Sequence, residues 1–201
     1  MRSAQLTGTR DRILAVATDL FGSRGVDAVS LDMIASDVGV AKQTLLYWFA
    51  SKDELVQAVL AGVAEQLTVA IGAAVRAAPN DPLERIDAVV RAVFRAAVRR
   101  PALLGLVREI SRLPTHVADR FVADVMVLVE RAIAYLETEM DAGRLRRADP
   151  RLVASLCYAT ITGIATEPEA LRAVGWTPSI SGLRRLRAEL LDFIRAALAP
   201  H

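Results

Sequence analysis

Cysteine is nearly absent from this chain. Cys157 stands alone among 201 residues, so no disulfide can close within the chain and no thiolate cage for a metal can be built. Histidine is almost as scarce: His116 and His201 lie far apart, which leaves little material for metal or triad chemistry. No GxSxG, HExxH, GxGxxG or Walker A pattern occurs, so no catalytic residue, metal site or cofactor is expected and the chain does not read as an enzyme. Aromatic residues make up 5% of the chain and threonine is sparse, which argues against an all-β fold. The segment from Met1 to Asp11 is polar and has no apolar signal core. The longest charge-free run, Leu152 to Thr166, is 15 residues, short of the roughly 20 that cross a bilayer. A reducing, cytoplasmic setting with no membrane partner is the expectation. Lysine is the last scarcity. Of 25 basic residues, only Lys42 and Lys52 are lysines, and both fall in the stretch GVAKQTLLYWFASKDEL, Gly39 to Leu55, with Tyr47, Trp48 and Phe49 side by side between them.

What the chain does have is helical periodicity from end to end, carried by Ala, Leu and Val. Thr9 is a candidate cap for a first helix with Ile13, Leu14, Ala17, Leu20 and Phe21 on one face. Gly25 is placed to stop it. Ser30 caps a short helix over 31–38, with Ile34 and Val38 inward, and Gly39 breaks it. A third short helix follows over about 41–49. Ser51 and Glu54 have capping-box spacing and open a long helix striped by Leu55, Val56, Val59, Leu60, Val63 and Leu67. Asp81-Pro82, Pro101, Pro114 and Asp149-Pro150 punctuate the remainder. They frame helices after 82, after 101, from Thr115 to Ala142 and from Leu152 to Ile164. Residues 167–181 read as irregular, with room for one turn at Pro168 to Ala173. Ser181, or a residue just before it, opens a last helix to about Leu198. The expected fold class is all-α, with about nine helices and no strand.

Two short helices joined at a glycine and braced by a longer preceding helix have helix-turn-helix geometry. The segment ILAVATDLFGSRGVDAVSLDMIASDVGVAKQTLLYWFASKDELVQAV resembles the DNA-binding domain of the tetracycline-repressor (TetR) family. The matching features are A..LF...G in the first helix, then IA...GV, then K.TL...F.SK..L. The stretch Glu137 to Ala154, ETEMDAGRLRRADPRLVA, is similar to a junction frequent before that family's penultimate helix. The resemblance implies a three-helix DNA-binding head, residues 1–50, on a helical ligand-binding and dimerisation body, residues 51–201. It implies a ligand-responsive regulator, most often a repressor. Such a protein binds a pseudo-palindromic double-stranded DNA operator as a homodimer and is released by a small-molecule effector. A helical partner-binding protein that uses the helix-turn-helix for protein contacts is the alternative.

In that frame the third helix lies in the major groove. Leu45 and Phe49 point in; Lys42, Gln43, Thr44, Tyr47 and Trp48 point out. Lys42 has reach to a phosphate or a guanine edge, and Gln43 has the geometry for adenine. Tyr47 and Trp48 suit phosphates and sugars. Lys52 sits at a helix N-terminus, where a lysine opposes the macrodipole unless an anion is near. Ser30 joins this DNA-facing set. Three features depart from the family pattern. Leu46 stands where a tyrosine usually meets phosphate. Asp32 places a negative charge in the first turn of the second helix. Ala41 is a poor cap. Residues 1–56 carry six basic and seven acidic side chains, so any basic surface is local, and Arg2, Arg10 and Arg12 are candidates for a flexible arm onto the DNA backbone.

In the body, the apolar residues of the central helices predict a largely apolar cavity for a hydrophobic or amphipathic effector. Phe94 is a candidate wall, and Glu109, Tyr158 and Thr162 are candidate polar anchors. The dimer seam is expected on the last two long helices. Leu156, Ala159 and Gly163 lie along one face of the first, and Leu186, Leu190 and Ile194 form a stripe on the second.

Overall fold

The computed structural model describes residues 2–166, 172, 173, 175, 176 and 179–200. Among them it has nine α-helices and no strand. They are α1 (Arg2–Arg24), α2 (Leu31–Val38), α3 (Lys42–Trp48), α4 (Lys52–Ala77), α5 (Pro82–Arg99), α6 (Ala102–Ile110), α7 (Thr115–Asp141), α8 (Pro150–Thr166) and α9 (Ile180–Leu198). The all-α expectation holds. Two boundaries move. α1 begins at Arg2, ahead of Thr9, because the first residues include good helix formers and lengthening a formed helix costs little. α9 is capped by Ser179 instead of Ser181. Ser179 is extended (φ −139°, ψ 166°), and its hydroxyl accepts the Gly182 N–H at 3.0 Å. Most of the stretch expected to be irregular, 167–181, lies outside the described residues.

Two compact units divide the chain: Met1–Ala64 with Pro101–Asp124, and Glu65–Arg100 with Val125–His201. In the first, α1, α2, α3 and the start of α4 close around Ile13, Ala17, Phe21, Ile34, Leu45, Phe49 and Leu55, all buried. Each large side chain removed from water in this way contributes about 1.5–3 kcal/mol. The packing unit is larger than the helix-turn-helix alone, because Leu106 of α6 and Val117 of α7 share its core. α6 crosses α1 at two glycines. A Cβ on Gly22 would overlap the backbone carbonyl of Ala102, and one on Gly105 would overlap that of Gly22. Only glycine permits so close an approach of two backbones. α4 is long and apolar enough in composition to cross a bilayer. At its start, Leu55, Val56, Val59 and Leu60 are buried in this core.

The second unit is centred on Val90 and Phe94 of α5, Leu136 and Met140 of α7, Leu145, and Leu190, Leu191, Ile194 and Leu198 of α9. One edge of α8, with Val153, Ala154 and Cys157, packs on the same core. Burial pushes the Cys157 thiol up, which makes it a poor nucleophile. Asp87 ties α5 to α9. Its side chain is 2% exposed; Oδ2 accepts from Arg195 Nε at 3.0 Å and lies 3.5 Å from Arg91. Arg195 also donates to Glu84 at 2.9 Å. The two carboxylates hold the Arg195 guanidinium still more firmly protonated.

Candidate nucleic-acid interface

The α2–α3 corner follows from a few local choices. Ser30 is extended (φ −97°, ψ 159°), and its hydroxyl accepts the Met33 N–H, capping α2. Gly39 ends α2 in the left-handed region, φ 76°, where a side chain would be strained. The chain then turns, with the Val40 N–H donating to the Ala35 carbonyl at 2.9 Å. Ala41 precedes α3 with no side-chain capping bond, as its sequence position predicted. At the start of α4, Ser51 accepts the Glu54 N–H at 3.1 Å, and Glu54 accepts the Ala50 N–H at 2.8 Å. This is a capping box shifted by one residue.

α3 is seven residues long and shows two faces. Leu45 and Phe49 are buried, and Lys42, Gln43 and Tyr47 are exposed, Tyr47 by 75%. Thr44 and Leu46 are half-buried. Trp48, expected outward, is half-buried and packs against the core, with its indole Nε1 sheltered and unpartnered. The reason is helical spacing: position 48 is three residues past Leu45 and falls beside the inward stripe. Its ring meets Tyr47 edge-on, centroids 5.4 Å apart at 81°, and so braces the aromatic that α3 turns to water.

Charge on this face is more occupied than its sequence suggests. Lys42 Nζ donates to Asp32 Oδ2 at 2.7 Å. Lys52 Nζ is 3.5 Å from the Asp27 carbonyl in the α1–α2 turn. The flexible basic arm is not seen at Arg10 or Arg12, which belong to α1. Arg10 lies over the Phe49 ring at 5.4 Å, and Arg12 donates to the carbonyl of Val38. Arg12 thereby serves one of the carbonyls that α2 leaves open at its end.

The proposed effector residues stand in different settings. Phe94 is buried in the second unit's core, and Tyr158 is 53% exposed. Glu109 belongs to the first unit and is occupied there: Oε2 accepts the Val26 N–H at 2.9 Å, and Oε1 accepts from Arg112 at 3.3 Å. The Thr162 side chain lies outside the described residues. A recess of about 250 Å³ between α5 and α9 is lined by Asp87, Arg91, Arg187 and Arg195 among others; it is a charged recess, distinct from the apolar cavity expected among the central helices.

The proposed dimer residues fall into two groups. Leu156 and Ala159 are exposed along α8, and nothing approaches within 4 Å of a Cβ placed on Gly163. Leu190 and Ile194 are buried in the second unit's own core, and Leu186 packs against it. One stripe cannot serve both, and the stripe facing α5 goes to the core. The large apolar residues that α9 turns outward are Ile180 and Phe193, 56% and 64% exposed, and the apolar stripe singled out neither.

Residues 13–59 match the family described as bacterial regulatory proteins, tetR family. That segment, from α1 to the start of α4, is where the chain is similar to the TetR family. Relatives agree with it. The transcriptional repressor KstR2 of Mycobacterium tuberculosis is 32% identical over 94 residues, 47% of this chain and 46% of that protein. The matched segment thus spans about half the length of that relative. The transcriptional regulator RutR of Escherichia coli K12 is 27% identical over 86% of this chain and 81% of its own. Among solved structures, a regulator from Saccharomonospora viridis in complex with choline covers 97% of this chain and all of its own, with a TM-score of 0.82 at 21% identity. That likeness speaks for a shared fold. The match of residues 13–59 to a family of regulatory proteins, and no gap in the structure, is what speaks against an enzymatic reading.

Proposed function

We propose that this TetR-family protein is a ligand-responsive cytoplasmic transcriptional regulator, most simply a repressor, that binds a pseudo-palindromic operator as a homodimer. Residues 1–50 act as the DNA-binding head and 51–201 as the body for effector and dimer. The observation that carries the reading is α3: a short helix held from behind by Leu45 and Phe49, with Lys42, Gln43 and Tyr47 turned to solvent. A major-groove helix needs this arrangement, because its inner face must be rigid while its outer face stays free for base edges. Lys52 and Ser30 contribute phosphate contacts, Thr44 stands at the edge of the face, and Trp48 supports Tyr47. The exposed Leu152, Leu156 and Ala159 of α8 and Phe193 of α9 support self-association, since apolar patches of this kind are partner surfaces. A small effector works by binding the DNA-incompetent state more tightly, and α4, which runs through both units, is the coupling element.

DNA selected from a random pool, followed by fluorescence anisotropy at two salt concentrations, tests the head. Gln43→Ala is expected to lose roughly 1–3 kcal/mol and relax preference at one position. Lys52→Ala is expected to weaken all sequences alike and flatten the salt slope by about one unit. Affinities unchanged in both variants would remove α3 and Lys52 from the interface. Enrichment of no DNA by the wild type would leave the helix-turn-helix as a protein-binding corner.

A further inference from the structure

We propose that Glu109 is a positioning residue for DNA reading, acting from α6 on the α1–α2 turn. The inference rests on the DNA-binding reading above and adds a residue to it. Gly25 leaves α1 in the left-handed region, φ 85°, and the next residue, Val26, has an N–H that no backbone carbonyl receives among the described contacts. The Glu109 carboxylate receives it at 2.9 Å, and its oxygen would sit 3.1 Å from a Cβ on Gly25. Glu109 is 12% exposed at its side chain, so this is a sheltered, charge-assisted hydrogen bond between groups 83 residues apart in sequence.

The turn that Glu109 holds leads straight to the DNA face. The Val26 carbonyl accepts the Val29 N–H at 3.2 Å. Val26 and Val29 are both buried, and the following residue is Ser30, the cap of α2. Lys52 reaches the same turn through the Asp27 carbonyl. One carboxylate on α6 therefore fixes the segment from which α2, and through it α3, is hung. The glycine crossing of Gly22 and Gly105 sets how closely α6 approaches, and Glu109 sets its register along α1.

The sign of the effect separates positioning from plain charge. Removing an acid from a DNA-binding unit raises affinity or leaves it alone if only Coulomb attraction matters. If Glu109 positions the turn, removing its acceptor lowers affinity. The test uses the full chain with Glu109→Gln, which keeps an oxygen for the Val26 N–H, and Glu109→Met, which fills the volume without one. Glu109→Ala serves as a third variant should Glu109→Met fold poorly. Hydrogen exchange at the Val26 amide and anisotropy on DNA selected by the wild type are the two readouts. The expected result is faster Val26 exchange and about tenfold weaker operator binding in Glu109→Met, with helicity unchanged. Glu109→Gln is expected to keep the slow exchange and to bind as well as the wild type or better. Unchanged exchange in Glu109→Met overturns the clasp. Fast exchange with undiminished binding overturns its positioning role alone, as does equal loss in Glu109→Gln. If the wild type selects no DNA, the DNA reading falls and takes the positioning role with it, while the exchange result still reports on the clasp.

Discussion

The two units handle their apolar residues differently. In the first, the described large hydrophobic side chains of α1 to α3 are buried or half-buried, and the strongly exposed exception is Tyr47, on the face assigned to DNA. In the second, Leu152, Leu156 and Tyr158 of α8 and Ile180 and Phe193 of α9 are each more than half exposed, although α5, α7 and α9 enclose a core of their own. The first unit is closed without help. The second leaves out enough apolar surface to call for a partner, which in the proposed homodimer is a second copy.

The largest expected effect strikes the closed unit. Phe49→Ala removes a side chain that is 2% exposed and stacked beneath Arg10, and it is expected to lower the free energy of unfolding by about 3–5 kcal/mol. Urea denaturation followed by circular dichroism measures it. A loss under about 1 kcal/mol would mean that this core collapses easily around a cavity and that the contrast between the units is overdrawn.

A middle-sized effect strikes the open unit. Leu156→Glu places a charge on an exposed α8 position, so the fold of one protomer is expected to stand while self-association weakens by roughly 2 kcal/mol, about thirtyfold in dissociation constant. Analytical ultracentrifugation across a concentration series reads it, and an unchanged dimer moves the seam off α8. Leu190 is not the residue to change for this purpose. It is 7% exposed inside the second core, and a charge there would test folding.

How much of this was legible beforehand differs between the units for physical reasons. Local signals announced the head. Ser30, Gly39 and the Ser51–Glu54 pair specify caps and turns within four residues of themselves, and Ile34, Leu45 and Phe49 follow helical spacing. Contacts that join distant segments carried no such signal. Glu109 beside Arg108 reads as a surface ion pair or a pocket anchor, and nothing nearby in sequence points to Val26. In α9 the stripe through Leu183, Leu186, Leu190 and Ile194 marks an apolar face, but periodicity cannot say whether α5 or another copy covers it. Trp48 was misjudged by one step around α3, a rotation that separates half-burial from exposure.

The smallest effect sharpens the DNA face itself. Lys42 and Asp32 are both exposed and 2.7 Å apart, and an ion pair between such groups contributes little to stability, typically below about 1 kcal/mol. Its weight falls on binding. In the free protein the carboxylate competes for the ammonium that a phosphate would take, and in the complex Asp32 remains near the polyanion. Asp32→Asn removes both penalties. It is expected to tighten binding to all DNA sequences by up to about 1 kcal/mol, roughly fivefold, and to steepen the salt dependence by about one unit as Lys42 becomes a full phosphate contact. Because the gain does not depend on base sequence, random DNA should profit as much as selected DNA, and thermal stability should hardly move. Anisotropy on both DNAs across a salt series measures this. A loss of affinity would show that the pair orients Lys42 for the groove, so that Asp32 helps reading where it was expected to oppose it.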